Sequence, residues 1–133
     1  MKGSEMNRLP ELSKAEYDIL RVLWKSGHHT VREVHDQIAA TTRWAYTTTK
    51  TMMDRMVKKQ LLTREDFHGI FLYSPRISRP AGLAKLVQFF ADRVLETDTS
   101  AVVSMFASSK AISADEIEEL ERLLDDDDEK TEL

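Results

Sequence analysis

Three Ser/Thr-x-x-Glu tetrads, Ser13-Lys14-Ala15-Glu16, Thr30-Val31-Arg32-Glu33 and Ser113-Ala114-Asp115-Glu116, each stand just ahead of apolar residues at three- and four-residue spacing. In such a capping box the hydroxyl and the carboxylate satisfy each other's orphan backbone N–H groups, so each tetrad marks a helix start. The first helix is expected to bury Ala15, Ile19, Leu20, Leu23 and Trp24 and to stop at Gly27, a residue suited to the position just past a helix. A short second helix places Val31, Val34 and Ile38 on one face. A third, from about Ala45 to Gln60, turns Thr49, Met52, Met53, Met56 and Val57 inward.

Beyond Gln60 the helical period is lost. Leu61-Leu62-Thr63-Arg64-Glu65 and Ile70-Phe71-Leu72-Tyr73-Ser74 read as two short strands around the turn Asp66-Phe67-His68-Gly69, where glycine supplies a positive φ. Three helices followed by a two-stranded β-hairpin is the order of a winged helix-turn-helix in a mainly α chain. Ser74-Pro75 and Arg79-Pro80 then mark the end of this domain, which is expected to span residues 8–78.

The remainder reads as helical, with Leu83, Leu86, Val87, Phe90 and Val94 on one stripe, then Val102, Val103, Met105 and Phe106 on a short helix capped by Asp98. Ile117, Leu120 and Leu124 come next, on the last helix. A segment this small holds too little core to stand alone, so its apolar faces are expected to meet a second copy of the chain. That makes residues 79–124 a helical dimerisation region, built from Leu83, Leu86, Val87, Phe90, Val94, Val102, Met105, Phe106, Ile117, Leu120 and Leu124. Residues 125–133 are expected to form an acidic, disordered tail.

Charge follows the same division. Residues 1–80 hold 14 Lys and Arg against 9 Asp and Glu, whereas residues 81–133 hold 5 against 14. A basic module joined to an acidic appendage suits nucleic-acid binding, although charge alone would favour a solvated helix face. The densest basic stretch, Arg43 to Arg64, contains a single acid, Asp54. On a helical wheel the face opposite Thr49 collects Thr47, Thr51, Asp54 and Lys58, flanked by Thr48, Lys50 and Arg55. Small hydroxyl side chains suit base edges in a major groove, and cations further along suit phosphates. Arg43 and Tyr46 near the helix start, with Arg64 and His68 in the hairpin, complete the candidate DNA contacts. The plainer alternative is that Thr47, Thr48 and Thr49 only cap the helix. Asp54 would repel phosphate, so it is expected to pair with Lys50 or Lys58 at four-residue spacing, and Tyr46 either reaches a phosphate or packs under the wing.

Other chemistries find little support. There is no cysteine, which removes disulfides, thiolate metal sites and cysteine nucleophiles, and no Gly-x-Ser-x-Gly, phosphate-binding glycine loop or His-Glu-x-x-His. His28 and His29 fall in a turn and His35 on a helix surface, so with Glu33 and Asp36 they form no expected metal site. No cofactor is expected. The chain has no secretory h-region near its start and no apolar run of membrane-spanning length, so a cytoplasmic location is expected. A winged-helix protein-interaction adaptor without sequence-specific DNA binding is the rival reading, but it leaves the Thr/Lys face unexplained.

The chain also resembles the penicillinase and methicillin-resistance repressor family. The matching residues are Leu12-Ser13-Lys14-Ala15-Glu16-Tyr17, Leu23-Trp24, Thr30-Val31-Arg32-Glu33-Val34 and Trp44-Ala45-Tyr46-Thr47-Thr48-Thr49-Lys50-Thr51. Arg55, Val57-Lys58-Lys59, Leu61-Leu62-Thr63-Arg64 and Tyr73-Ser74-Pro75 continue the match. The resemblance implies a homodimer that binds an inverted-repeat operator, with the helix from Ala45 to Gln60 in the major groove. It also implies release, in β-lactam-responsive members, by a membrane sensor that triggers cleavage near the positions of Met105 and Phe106. Two departures stand out: Gln60 replaces a usual glycine, which puts the end of the third helix in question, and Thr49 replaces an aliphatic, so a hydroxyl is expected to turn inward.

Overall fold

The computed structural model describes residues 9–132, with side chains through Asp127. The chain forms two compact units, one of residues 12–78 and the other of residues 79–132, to which the described residues 9–11 also belong. In the first unit, α1 (Lys14–Ser26), α2 (Val31–Thr42) and α3 (Tyr46–Lys58) precede the antiparallel strands β1 (Leu62–Phe67) and β2 (Ile70–Pro75). The winged helix-turn-helix order is therefore present. Capping boxes at Ser13 and Thr30 are both complete, and α1 ends at Gly27, whose φ of 94° is the positive value that glycine tolerates.

The helices converge because their apolar faces share one core. Ile19, Leu20 and Leu23 of α1, Val34 and Ile38 of α2, and Met53 and Met56 of α3 are fully buried with Leu62 and Tyr73 of the hairpin. Ala15, Trp24, Met52 and Val57, expected inside, are half-buried instead. The Trp24 indole N–H donates to the carbonyl of Ile77 at 2.9 Å, so the ring sits at the core margin where that bond is within reach.

Several expectations are corrected. The strands extend to Phe67 and Pro75, and Phe67 pairs with Ile70, so only His68 and Gly69 form the turn. Their φ values of 54° and 85° suit a two-residue hairpin loop twisted to match its strands. His29 adds an isolated bridge to the hairpin: its N–H donates to the Tyr73 carbonyl at 3.1 Å and its carbonyl accepts from the Tyr73 N–H at 2.9 Å. One residue carries no period, so the pattern of apolar residues could not announce it. The third helix stops at Lys58, and Gln60 lies just beyond in the left-handed region with φ 68°.

Glu16 is the unexpected buried acid. Besides closing the capping box it pairs with Lys59 just past α3, tying the start of α1 to the end of α3. Burial pushes its carboxyl up, but the Lys59 ammonium and the Ser13 backbone N–H outweigh that and hold it below its ordinary value.

The second unit contains α4 (Arg79–Phe89) with a π-helical turn (Phe90–Val94), α5 (Thr99–Ser109) and α6 (Ala114–Glu132). Asp98 caps α5 as expected, accepting from the Ala101 N–H, and the Ser113–Glu116 capping box opens α6. Arg79 grips Glu116 through two nitrogens, at 3.1 and 3.0 Å, and donates to the Ala111 carbonyl at 2.8 Å. The sequence does not reveal that Leu9, Ala84, Val87, Ala91, Val102, Val103, Leu120 and Leu124 form a core within this one chain. Nor does the chain break at the acids. α6 continues through the aspartate run to Glu132, and the Gln88 amide donates to Asp127 at 2.6 Å, which corrects the disordered tail as far as that residue; Leu133 lies outside the described residues.

Gln60→Gly should raise stability by about 0.5–1 kcal/mol, since relief of the left-handed strain exceeds the extra entropy of unfolded glycine; a higher urea midpoint with unchanged slope would register it. The depressed Glu16 value means that its contribution is present above its unfolded-state value of 4.5 and disappears as pH falls through the lower folded-state value. The stability gap between wild type and Glu16→Gln should therefore close on acidification, as measured by denaturant melts from pH 7 downward.

Candidate nucleic-acid interface

The inward stripe of α3 decides what its other side presents. Thr49, Met53 and Met56 are buried, which leaves Thr47, Thr48, Lys50, Thr51, Arg55 and Lys58 exposed. The capping alternative fails, because the N-cap is Ala45, no side chain bonds there, and Thr47 and Thr48 stand inside the helix. Thr49 turns inward as expected, its hydroxyl bonded to His35 Nδ1 at 2.8 Å. His35 is accordingly half-buried between helices and not on the surface, with its ring edge-on to Tyr46. Tyr46 packs against α2, under the Arg32 guanidinium at 4.2 Å from its ring centre, and not beneath the wing.

Arg43, exposed, closes α2 in the left-handed conformation, φ 61°, at the turn leading into α3. On the wing, His68 occupies the tip with its ring against Phe67, and Phe67, Ile70 and Phe71 are exposed beside it. Arg64 lies over the Phe71 ring at 4.6 Å.

Asp54 explains itself in this setting. Its carboxylate accepts from Lys50 Nζ at 2.8 Å, from Arg64 Nη1 at 3.2 Å and from the Tyr73 hydroxyl at 2.7 Å. Lys50 is thus the partner at four-residue spacing, not Lys58. The two further bonds to the wing depend on tertiary contact and were invisible in sequence. Partial burial opposes ionisation of Asp54, but the Lys50, Tyr73 and Arg64 groups prevail and hold its carboxyl below the usual range. Tyr73, buried and donating to that carboxylate, has its hydroxyl pushed up to about 12. Lys59, part of the basic run, is drawn away by Glu16. Arg55 and Lys58 form no ion pair with a described residue, so the basic stretch divides into compensated and uncompensated cations.

The penicillinase repressor family model matches residues 12–126. The chain belongs to this family. It is 27% identical over 121 residues to the penicillinase repressor of Bacillus licheniformis, covering 91% of this chain and 94% of that protein. Identity to the methicillin resistance regulatory protein MecI of Staphylococcus aureus strain N315 is 25% over 118 residues, covering 89% and 96%. A solution structure of monomeric Bacillus licheniformis BlaI in complex with the blaP half-operator is 30% identical, covers 56% of this chain and 90% of that one, and has a TM-score of 0.49.

Within this family member, the residues expected to meet a second copy divide into two groups. Val87, Val102, Leu120 and Leu124 are buried in the chain's own core, and Leu83, Phe106 and Ile117 are half-buried. Leu86, Phe90, Val94 and Met105 remain exposed, joined by Phe89 and Leu95. The Met105–Phe106 peptide lies inside α5.

Tyr73→Phe should lower stability by about 1.5–3 kcal/mol, the net worth of a hydrogen bond to a charged group. Thermal melts would measure the loss, and faster amide exchange in β1 and β2 than in α1 would place it in the wing.

Proposed function

We propose that this chain is a sequence-specific DNA-binding transcriptional repressor, acting as a homodimer on an inverted-repeat operator with α3 in the major groove. The single observation that carries the reading is the exposed hydroxyl-and-cation face of α3. Thr47, Thr48 and Thr51 stand near the helix start, where base edges are met, and Arg55 and Lys58 stand a turn or more beyond, where phosphates are met. Family membership supports it, since the relatives are repressors and regulators by name. Leu86, Phe90, Val94 and Met105 support pairing of two chains, because these four large apolar side chains of the C-terminal unit stand exposed and a second copy would cover them. A cytoplasmic location goes with access to DNA, and among the described residues no helix is long and apolar enough to cross a membrane.

Selection of bound duplexes from a random pool tests the proposal directly: it should recover a repeated half-site whose spacing reports the dimer geometry. Against the recovered duplex, Thr47→Ala or Thr51→Ala should cost roughly 1–3 kcal/mol of preference over random sequence if the residue meets a base. Lys58→Ala should instead weaken both duplexes alike and reduce the salt slope by about 1. Equal losses on both duplexes for the threonine variants, in gel-shift titrations, would remove their role as readers.

A further inference from the structure

A carboxylate on the outer side of a DNA-reading helix is costly near phosphates, and Asp54 is the one acid between Arg43 and Arg64. The structure holds it in place from three directions, with Lys50 of the same helix, Arg64 of β1 and the hydroxyl of the buried Tyr73 of β2. Lys50 and Arg64 are both exposed enough to reach solvent, with side-chain exposures of 51% and 39%. Without Asp54 the Lys50 ammonium would lose its ion pair and Arg64 would keep its place over the Phe71 ring, which leaves more cationic charge open on the binding face.

We propose that Asp54 is a specificity-determining residue that restrains Lys50 and Arg64, so that loose, sequence-independent association with phosphates is weakened while the seated complex is not. The inference rests on the DNA-binding reading above. In non-specific association the protein has no fixed register, so any free cation finds a phosphate and releases a counterion. In a seated complex the base edges set the register, and cations held by Asp54 stay at the helix flank while the wing keeps its orientation through Arg64 and Tyr73. Removing the charge therefore strengthens the random-sequence term more than the specific one.

The test compares wild type, Asp54→Asn, Asp54→Ser and Asp54→Glu on a duplex recovered from random-pool selection and on a random-sequence duplex, across salt. Asp54→Asn and Asp54→Ser should bind random duplex more tightly, with the salt slope steeper by about 0.9 for each cation freed. The ratio of selected to random affinity should fall. Asp54→Glu, which keeps the charge, should restore most of that ratio. A variant that binds both duplexes more weakly, with an unchanged slope, would overturn the inference and leave Asp54 a purely structural bracket. Side-chain NMR of the wild type supplies a reading that needs no variant. On titration with random duplex, the Lys50 ammonium and Arg64 guanidinium signals should move much less than those of Lys58 and Arg55, and equal movement would overturn the inference. If the wild type selects no sequence at all, the functional reading fails first, which distinguishes the two failures.

Discussion

Tyr73 is the point on which the unit of residues 12–78 depends. Its backbone pairs with His29 in both directions, the residue is only 1% exposed within the core, and its hydroxyl reaches Asp54 on α3. An isolated two-stranded hairpin is marginal in water. The hairpin here is stable because one of its residues is simultaneously sheet partner, core residue and hydrogen-bond donor. The same residue carries position outward, since the Asp54 carboxylate that it orients also holds Lys50 and Arg64.

Polar pairing divides the basic face. Among the described residues no buried side-chain nitrogen or oxygen lacks a partner, as expected when each orphan would cost about 1–3 kcal/mol. The pairs that achieve this also decide which cations are available. Glu16 takes Lys59 and Asp54 takes Lys50 and Arg64, so Arg55 and Lys58 carry the uncompensated charge of α3. Formal charge along the sequence overstates what the surface offers to an anion.

The C-terminal unit shows how a single apolar pattern serves two purposes. Along α4 and its π-helical turn, Ala84, Val87 and Ala91 pack inward, whereas Leu86, Phe89 and Phe90 look outward. The π-helical turn, closed by the Leu95 N–H donating to the Phe90 carbonyl at 2.9 Å, inserts an extra residue and so shifts the phase of the side chains beyond it. A regular 3.6-residue period cannot anticipate such a shift. Small residues hid the inner face from a reading of large ones: Gly82, Ala84 and Ala91 are buried, and only packing reveals it.

Helix starts, the order of elements and the outward side of α3 were legible in the residues themselves, because capping boxes and amphipathic spacing are local and act within one turn or two. The inward turn of Thr49 was also readable, from its place on the apolar stripe. Tertiary structure alone decided the His29 bridge, the bonds of Asp54 to the wing, the pairing of Glu16 with Lys59 and the split of the C-terminal apolar residues between core and surface. Each joins groups far apart in the chain or depends on how closely two helices pack, and periodicity carries no record of either.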